Sequence, residues 1–233
     1  MRGDSVSKLM VALDVPTREQ ALDLASATCD CASHFKVGGR LFTAEGPDLV
    51  RELKSAGNGV FLDLKFHDIP NTVAEAAEAA TGLKVDFFDV HASGGEEMMK
   101  AAVTASREEA ERLGIPAPRI LAITVLTSMS STVDEVLALA ERARNAGVDG
   151  VVSSAWEAKA VREALGADFL IVTPGIRPAW AARNDQRRVA TPEVAITNGA
   201  DFIVVGRPIT KADNPGGAAR MIVDEMAPAE VPQ

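Results

Sequence analysis

Cysteine is scarce in this chain, with two in 233 residues. Cys29 and Cys31 lie one residue apart near the end of a helical pattern, and His34 is the only other soft ligand nearby, so a zinc site would lack its fourth ligand. They read as two reduced thiols, which fits a reducing compartment and excludes a disulfide-stapled miniprotein. Long hydrophobic runs are also missing: the longest, such as Leu9–Leu13, reach about five residues, far short of the ~20 that cross a bilayer. Arg2 and Lys8 mark the N-terminus, but Asp14 interrupts the apolar segment and no small-residue cleavage site follows. Neither a membrane partner nor a secretory signal is expected, and the expected location is the cytoplasm. There is no basic tract. Lys and Arg number 24 against 33 Asp and Glu, a net charge of −9, which argues against a nucleic-acid partner because affinity for a polyanion comes mainly from cations neutralising phosphates. No Pro/Gly/Ser-rich linker divides the chain, and its length suits one domain, residues 1–233.

What is present is a hydrophobic fraction of 47%, enough for a sizeable core, distributed as eight short aliphatic runs that alternate with helical patterns. The runs begin at Lys8, His34, Gly59, Phe87, Arg119, Gly150, Phe169 and Phe202. Thr17 with Gln20 and Thr132 with Glu135 read as capping boxes, Pro47 and Pro192 as first helical residues, and Gly57, Gly147 and Gly199 as helix stops. A weak repeat, Val85-Asp86, Val148-Asp149, Ala167-Asp168 and Ala200-Asp201, precedes four of the runs. Continuously apolar strands such as Phe202–Val205 should be buried on both faces of a parallel sheet. Eight βα units without a linker predict the α/β class and a single (β/α)₈ TIM barrel, whose active site lies at the C-terminal ends of the strands.

At those ends stand charges that their apolar neighbours do not explain. In Phe61-Leu62-Asp63-Leu64-Lys65-Phe66-His67-Asp68 a two-residue period puts Asp63 and Lys65 inside the barrel and Leu62, Leu64 and Phe66 on the other side, and His67 reads as structural. Lys36 ends the second strand and Asp14 follows the first. Taken alone, an Asp-x-Lys pair reads as a structural ion pair plugging the barrel mouth. With charges converging from three strands, Lys36, Asp63, Lys65 and Asp68 can instead form an alternating array in which each ammonium is held protonated by a carboxylate. A fixed ammonium can stabilise a carbanion and then protonate it, without a metal.

A second constellation follows the last two strands: Thr173-Pro174-Gly175-Ile176-Arg177-Pro178 and Val205-Gly206-Arg207-Pro208. Loops at these places in barrels frequently form a phosphate cradle. Between them, residues 179–188 carry Arg183, Gln186, Arg187 and Arg188 without apolar periodicity, the profile of a solvated loop or a polar lid. From Arg177 to Lys211 six basic residues face three acidic ones, a local +3 that leaves −12 on the rest, so an anionic ligand is expected there.

These segments, with Phe35-Lys36-Val37-Gly38, Asp63 through Thr72, Leu126-Thr127-Ser128-Met129 and Asp185-Gln186-Arg187-Arg188, resemble the orotidine 5′-phosphate decarboxylase family along nearly the whole chain. The Asp-x-Lys-x-x-Asp core is similar to that of magnesium-dependent sugar-phosphate decarboxylases and aldolases. In those relatives strand two supplies a metal-binding carboxylate where Lys36 stands here. The resemblance implies cofactor-free decarboxylation of orotidine 5′-phosphate to uridine 5′-phosphate in pyrimidine synthesis. Lys65 is then the proton donor at C6, Asp63 lies beside the departing carboxylate, and Lys36 and Asp68 complete the array. The resemblance further implies that Asp14 and Lys36 hold the ribose, Thr127 reads the pyrimidine, and Gln186, Arg207 and Gly206 grip the phosphate, with Arg177 in the same shell. It also implies a homodimer in which Asp68 and Thr72 enter the neighbouring site. A non-catalytic nucleotide-binding barrel is the alternative from another class.

Overall fold

The computed structural model describes residues 7–126, 129, 131–181 and 190–226. Eight parallel strands, β1 (Leu9–Ala12), β2 (His34–Gly38), β3 (Gly59–Phe66), β4 (Phe87–His91), β5 (Arg119–Ile123), β6 (Gly150–Val152), β7 (Leu170–Thr173) and β8 (Phe202–Val205), close in sequence order into one barrel. Two of them begin one residue later than the sequence suggests, at Leu9 and Leu170. The helices outside are α1 (Arg18–Thr28), α2 (Gly39–Ser55), α3 (Pro70–Gly82), α4 (Glu96–Leu113), α5 (Val133–Asn145), α6 (Ala155–Leu165), α7 (Pro192–Thr197), α8 (Arg207–Thr210) and α9 (Pro215–Glu225). Among the described residues no helix is long and apolar enough to cross a membrane.

Local chemistry accounts for most boundaries. Thr132 and Glu135 form the full reciprocal box at α5, whereas at α1 only half of it forms, the Thr17 hydroxyl accepting the Gln20 N–H. Pro47 is not the first residue of its element. A helical turn begins already at Gly39, and α2 is broken at Gly46, whose φ of 66° and ψ of −165° reset the chain before Pro47 opens the longer segment.

The Asp repeat has a structural meaning. Asp86 Oδ2 accepts the N–H of Val60 at 2.7 Å, Asp149 that of Ile120 at 2.7 Å and Asp201 that of Ile171 at 2.8 Å. Each aspartate thus satisfies a backbone donor near the start of the preceding strand, at the N-terminal end of the barrel opposite the site. Asp168 is the exception: it is exposed, and Arg162 ties that turn instead through the carbonyls of Gly166, Ala167 and Phe169. Asp201 also holds Arg162 at 2.6 Å. Asp201→Ala is therefore expected to cost about 1–3 kcal/mol, the usual penalty for orphaning such a donor, measured by urea unfolding; an unchanged midpoint would refute the role.

Two apolar layers result. Outward side chains such as Phe35, Leu62, Phe88, Val90 and Val151 pack against the helices, while Met10, Ala12, Phe61, Phe87, Leu121, Val172 and Val204 fill the barrel's interior. The interior plug matters for function because it makes a dry floor. Polar residues above that floor face one another across a space from which bulk water is partly excluded.

Cys29 and Cys31 are free, one exposed and one buried. His34 points into the barrel's lower end, packed edge-on against Phe87 and Phe202, with burial lowering its pKa.

Candidate active site

Alternation along β2 turns Phe35 and Val37 toward the helices and Lys36 inward. Alternation along β3 does the same for Asp63 and Lys65, and Asp14, just past β1, completes the group. Lys36 Nζ lies 3.0 Å from Asp63 Oδ2 and 3.3 Å from Asp14 Oδ1, and Lys65 Nζ pairs with the other oxygen of Asp63. Asp63 thus bridges two ammonium groups, one on each oxygen. Burial would raise its carboxyl, but Lys36 and then Lys65 outweigh burial and hold it at about 2. Burial likewise works against the Lys36 ammonium, yet Asp63 and Asp14 raise its pKa above the ordinary lysine value. Both charges persist at neutral pH because each supplies the other's compensation.

Asp68 does not join them within one chain. It sits past the end of β3, exposed, with Oδ1 accepting the Ile69 N–H at 2.7 Å, and it makes no ion pair among the described residues. The four-membered array expected from sequence is a three-membered one here, extended by Asp14. Chain geometry is the reason: Asp68 is three positions beyond Lys65, the strand ends at Phe66, and Pro70 then starts α3 in a new direction. Thr72 is exposed on the first turn of α3. His67 lies past the end of β3 at Phe66 and is not packed under the helices; it is exposed, its ring centroid 5.1 Å from that of His91.

Lys36, Asp63 and Lys65 line a cavity of about 170 Å³ whose other walls are mainly apolar, including Phe61, Ile123, Val125, Val152 and Val204. A second cavity, of about 130 Å³, is lined by Asp14, Gly175, Arg177, Gly206 and Arg207. The two share Lys36, Pro174 and Val204, so they are compartments of one cleft at the C-terminal ends of the strands. One compartment is mainly apolar, with Lys36, Asp63, Lys65 and Asp89 among its lining; the other is lined by two arginines. Arg177 is buried, its N–H bonded to the Ala190 carbonyl at 2.9 Å. Gly206 opens the short α8, and a Cβ there would stand 3.5 Å from Asp14 Oδ2, inside the second compartment. Thr127 and Gln186, like Arg183, Arg187 and Arg188 of the expected lid, lie outside the described residues.

The orotidine 5′-phosphate decarboxylase / HUMPS family model matches residues 7–222. The chain belongs to that family. Among its curated relatives, the orotidine 5′-phosphate decarboxylase of Syntrophomonas wolfei is 48% identical, the match covering 94% of this chain and 97% of the relative. That of Moorella thermoacetica is 49% identical over 97% and 94% of the two chains. A crystal structure of orotidine 5′-phosphate decarboxylase from Lactobacillus acidophilus superposes with a TM-score of 0.81 at 39% identity, over 94% of this chain and 99% of that one.

Within this family site, two polar residues lie where sequence reasoning did not look. Asp89, on β4, is fully buried beside Asp63 and lines the same cavity. The alternation Phe87-Phe88-Asp89-Val90-His91 was signal enough to place it inward. Ser153, just after β6, is also buried against the cavity, and its hydroxyl has no hydrogen-bond partner among the described residues.

Proposed function

We propose that this chain decarboxylates orotidine 5′-phosphate to uridine 5′-phosphate and CO₂ in UMP biosynthesis, working in the cytoplasm as one catalytic barrel. The observation that carries the reading is the two-compartment cleft with Lys36 at its junction. A nucleoside monophosphate has a flat ring, a polyhydroxyl sugar and a terminal dianion in the same order as the apolar slot, the Asp14–Lys36 pair and the Arg177–Arg207 end. Lys36 also favours this reaction over a magnesium-dependent one on a sugar phosphate, because an ammonium group at that place cannot serve as a metal ligand.

The chemical difficulty is a carbanion at C6 whose electron pair lies in the ring plane and does not delocalise into the ring carbonyls. The C6–carboxylate bond breaks, CO₂ leaves, and the pair remains on C6. Lys65 faces that position as a fixed cation; it stabilises the developing charge and then transfers a proton to C6. The resulting neutral amine takes a proton back from solvent, so each turnover consumes one proton overall. Asp63 pairs with Lys65 and aims it, and it stands where the departing carboxylate would lie. Asp14 and Lys36 hold the ribose hydroxyls, Thr127 reads the pyrimidine, and Gln186, Gly206 and Arg207 hold the phosphate, with Arg177 in the same substrate shell. Asp68 and Thr72 act in the neighbouring protomer's site of a homodimer, which suits their exposure and that of Ile69 beside them, 65% exposed as a large apolar side chain.

The decisive assay follows loss of orotidine 5′-phosphate absorbance with purified protein, with and without a chelator. Turnover unaffected by the chelator is expected; no turnover by the parent protein would defeat the reading, and turnover abolished by the chelator would favour a metal-dependent relative. A second expectation concerns the remote grip. Binding energy at the phosphate lowers the barrier at C6 by aligning the ring, so Arg207→Ala should reduce kcat/KM by about 10²–10³-fold, the scale of a lost charge-assisted contact. An unchanged kcat/KM would reject the phosphate role.

A further inference from the structure

Pairing between β3 and β4 is irregular at one place. Leu62 faces Phe88 and Phe66 faces Val90, so the three residues Asp63, Leu64 and Lys65 stand opposite a single one, Asp89. A bulge of this kind strips backbone groups of their ladder partners, and buried donors must find others. The Lys65 N–H finds the Asp89 side chain, donating to Oδ1 at 2.7 Å. Lys65 also has a φ of 53°, a left-handed conformation that costs a non-glycine residue on the order of 1–3 kcal/mol and persists only when its surroundings enforce it.

Asp89 is 0% exposed, above Phe87 and next to Leu121 on β5. No donor among the described residues reaches its Oδ2, and the group facing it is the Asp63 carboxylate. A proton on Oδ2 would satisfy both carboxyls at once. Burial and then Asp63 push the Asp89 carboxyl well above the usual carboxylate range, with Lys65 opposing them.

We propose, on the reading of the site given above, that Asp89 is a positioning residue: as a neutral carboxylic acid it accepts the Lys65 N–H, donates to Asp63, and so fixes the bulge that aims both side chains at the reacting carbon. Asparagine has the same shape and the same donor–acceptor pair. Asp89→Ala should therefore lower kcat by about a hundredfold, the scale of a small misplacement of a catalytic group. Its affinity for uridine 5′-phosphate, read by calorimetry, should change by no more than about threefold, because Asp89 touches the bulge and not the phosphate end. Asp89→Asn should recover kcat to within about tenfold of the parent. An alanine variant with parental kcat, or an asparagine variant as impaired as alanine while still binding the nucleotide, would overturn the inference.

A stability measurement covers the case in which alanine does not fold. The groups facing Asp89 are Asp63 and Lys65 on β3 and His91 on its own strand, with Leu121 apolar on β5. An acid whose folded pKa is raised favours the fold below its unfolded value and loses that contribution as pH rises through the folded value. The melting temperature of the parent relative to Asp89→Asn should therefore fall as pH rises above about 4; a relative rise would mean an ionised Asp89 and sink the proposal. This comparison needs no activity, so it stands apart from whether orotidine 5′-phosphate is the substrate.

Discussion

Lys65→Ala is expected to lower kcat for orotidine 5′-phosphate by about 10⁴-fold or more, equivalent to about 5.5 kcal/mol of transition-state stabilisation. Two losses combine in that figure. The cation facing C6 disappears from a partly dry cleft, where its interaction with a localised carbanion is far stronger than in water. The proton donor disappears as well, leaving water to protonate C6 without a positioned acid. Asp63 keeps Lys36 at 3.0 Å, so the remaining pair is balanced and the variant should fold. Binding of uridine 5′-phosphate should persist, since the phosphate end is untouched. A variant whose kcat stays within about tenfold of the parent would show that another group protonates C6, and the mechanism would then need a different acid.

How much of this was legible in the chain follows from which signals are local. Period-two alternation put Lys36, Asp63 and Lys65 inside the barrel, and it did so correctly even though β3 is bulged at that point. The bulge sets three residues against one, an insertion of two, and an even insertion leaves inward and outward positions in phase. The same parity hides the bulge from the sequence: nothing in Asp63-Leu64-Lys65 announces a left-handed lysine, and the requirement for Asp89 becomes apparent only when β4 is laid alongside. The Asp repeat was visible as a pattern but not as a function, because the N–H each aspartate satisfies lies about 26 to 30 positions earlier, beyond any local reading. Pro47 misled in a different way. Its preference for a first helical turn is real, and Gly46 provides the break that lets a second helical segment start there, yet helix also forms upstream of the break. Asp68 is the case where sequence spacing suggested a neighbour that one chain does not deliver. Its i+3 separation from Lys65 would keep them close on a helix, but the strand ends between them and the carboxyl folds back onto the Ile69 N–H.

That displacement of Asp68 makes the second large prediction possible. If Asp68 completes the array of the other protomer, each site of the homodimer takes Lys65 from one chain and Asp68 from its partner, and two-fold symmetry makes both sites alike. Lys65→Ala and Asp68→Ala homodimers should each be nearly inactive. Mixing them under conditions that exchange subunits should nonetheless restore activity, because a heterodimer has one site with both residues intact and one with neither. With random exchange half of the dimers are mixed and half of their sites are whole, so recovery should approach about one quarter of the parental activity per site. An Asp68 acting in its own chain predicts no recovery at all, since every site in the mixture would lack one group. The experiment therefore separates the two arrangements without depending on how severe either single substitution is, provided that each variant alone falls well below a quarter of the parent. Recovery near that fraction would also explain why Asp68 can stand exposed in a single chain beside an uncovered Ile69. Its carboxylate would be held near the Lys65 ammonium by the partner's docking, and the apolar side chain next to it would be covered in the same step.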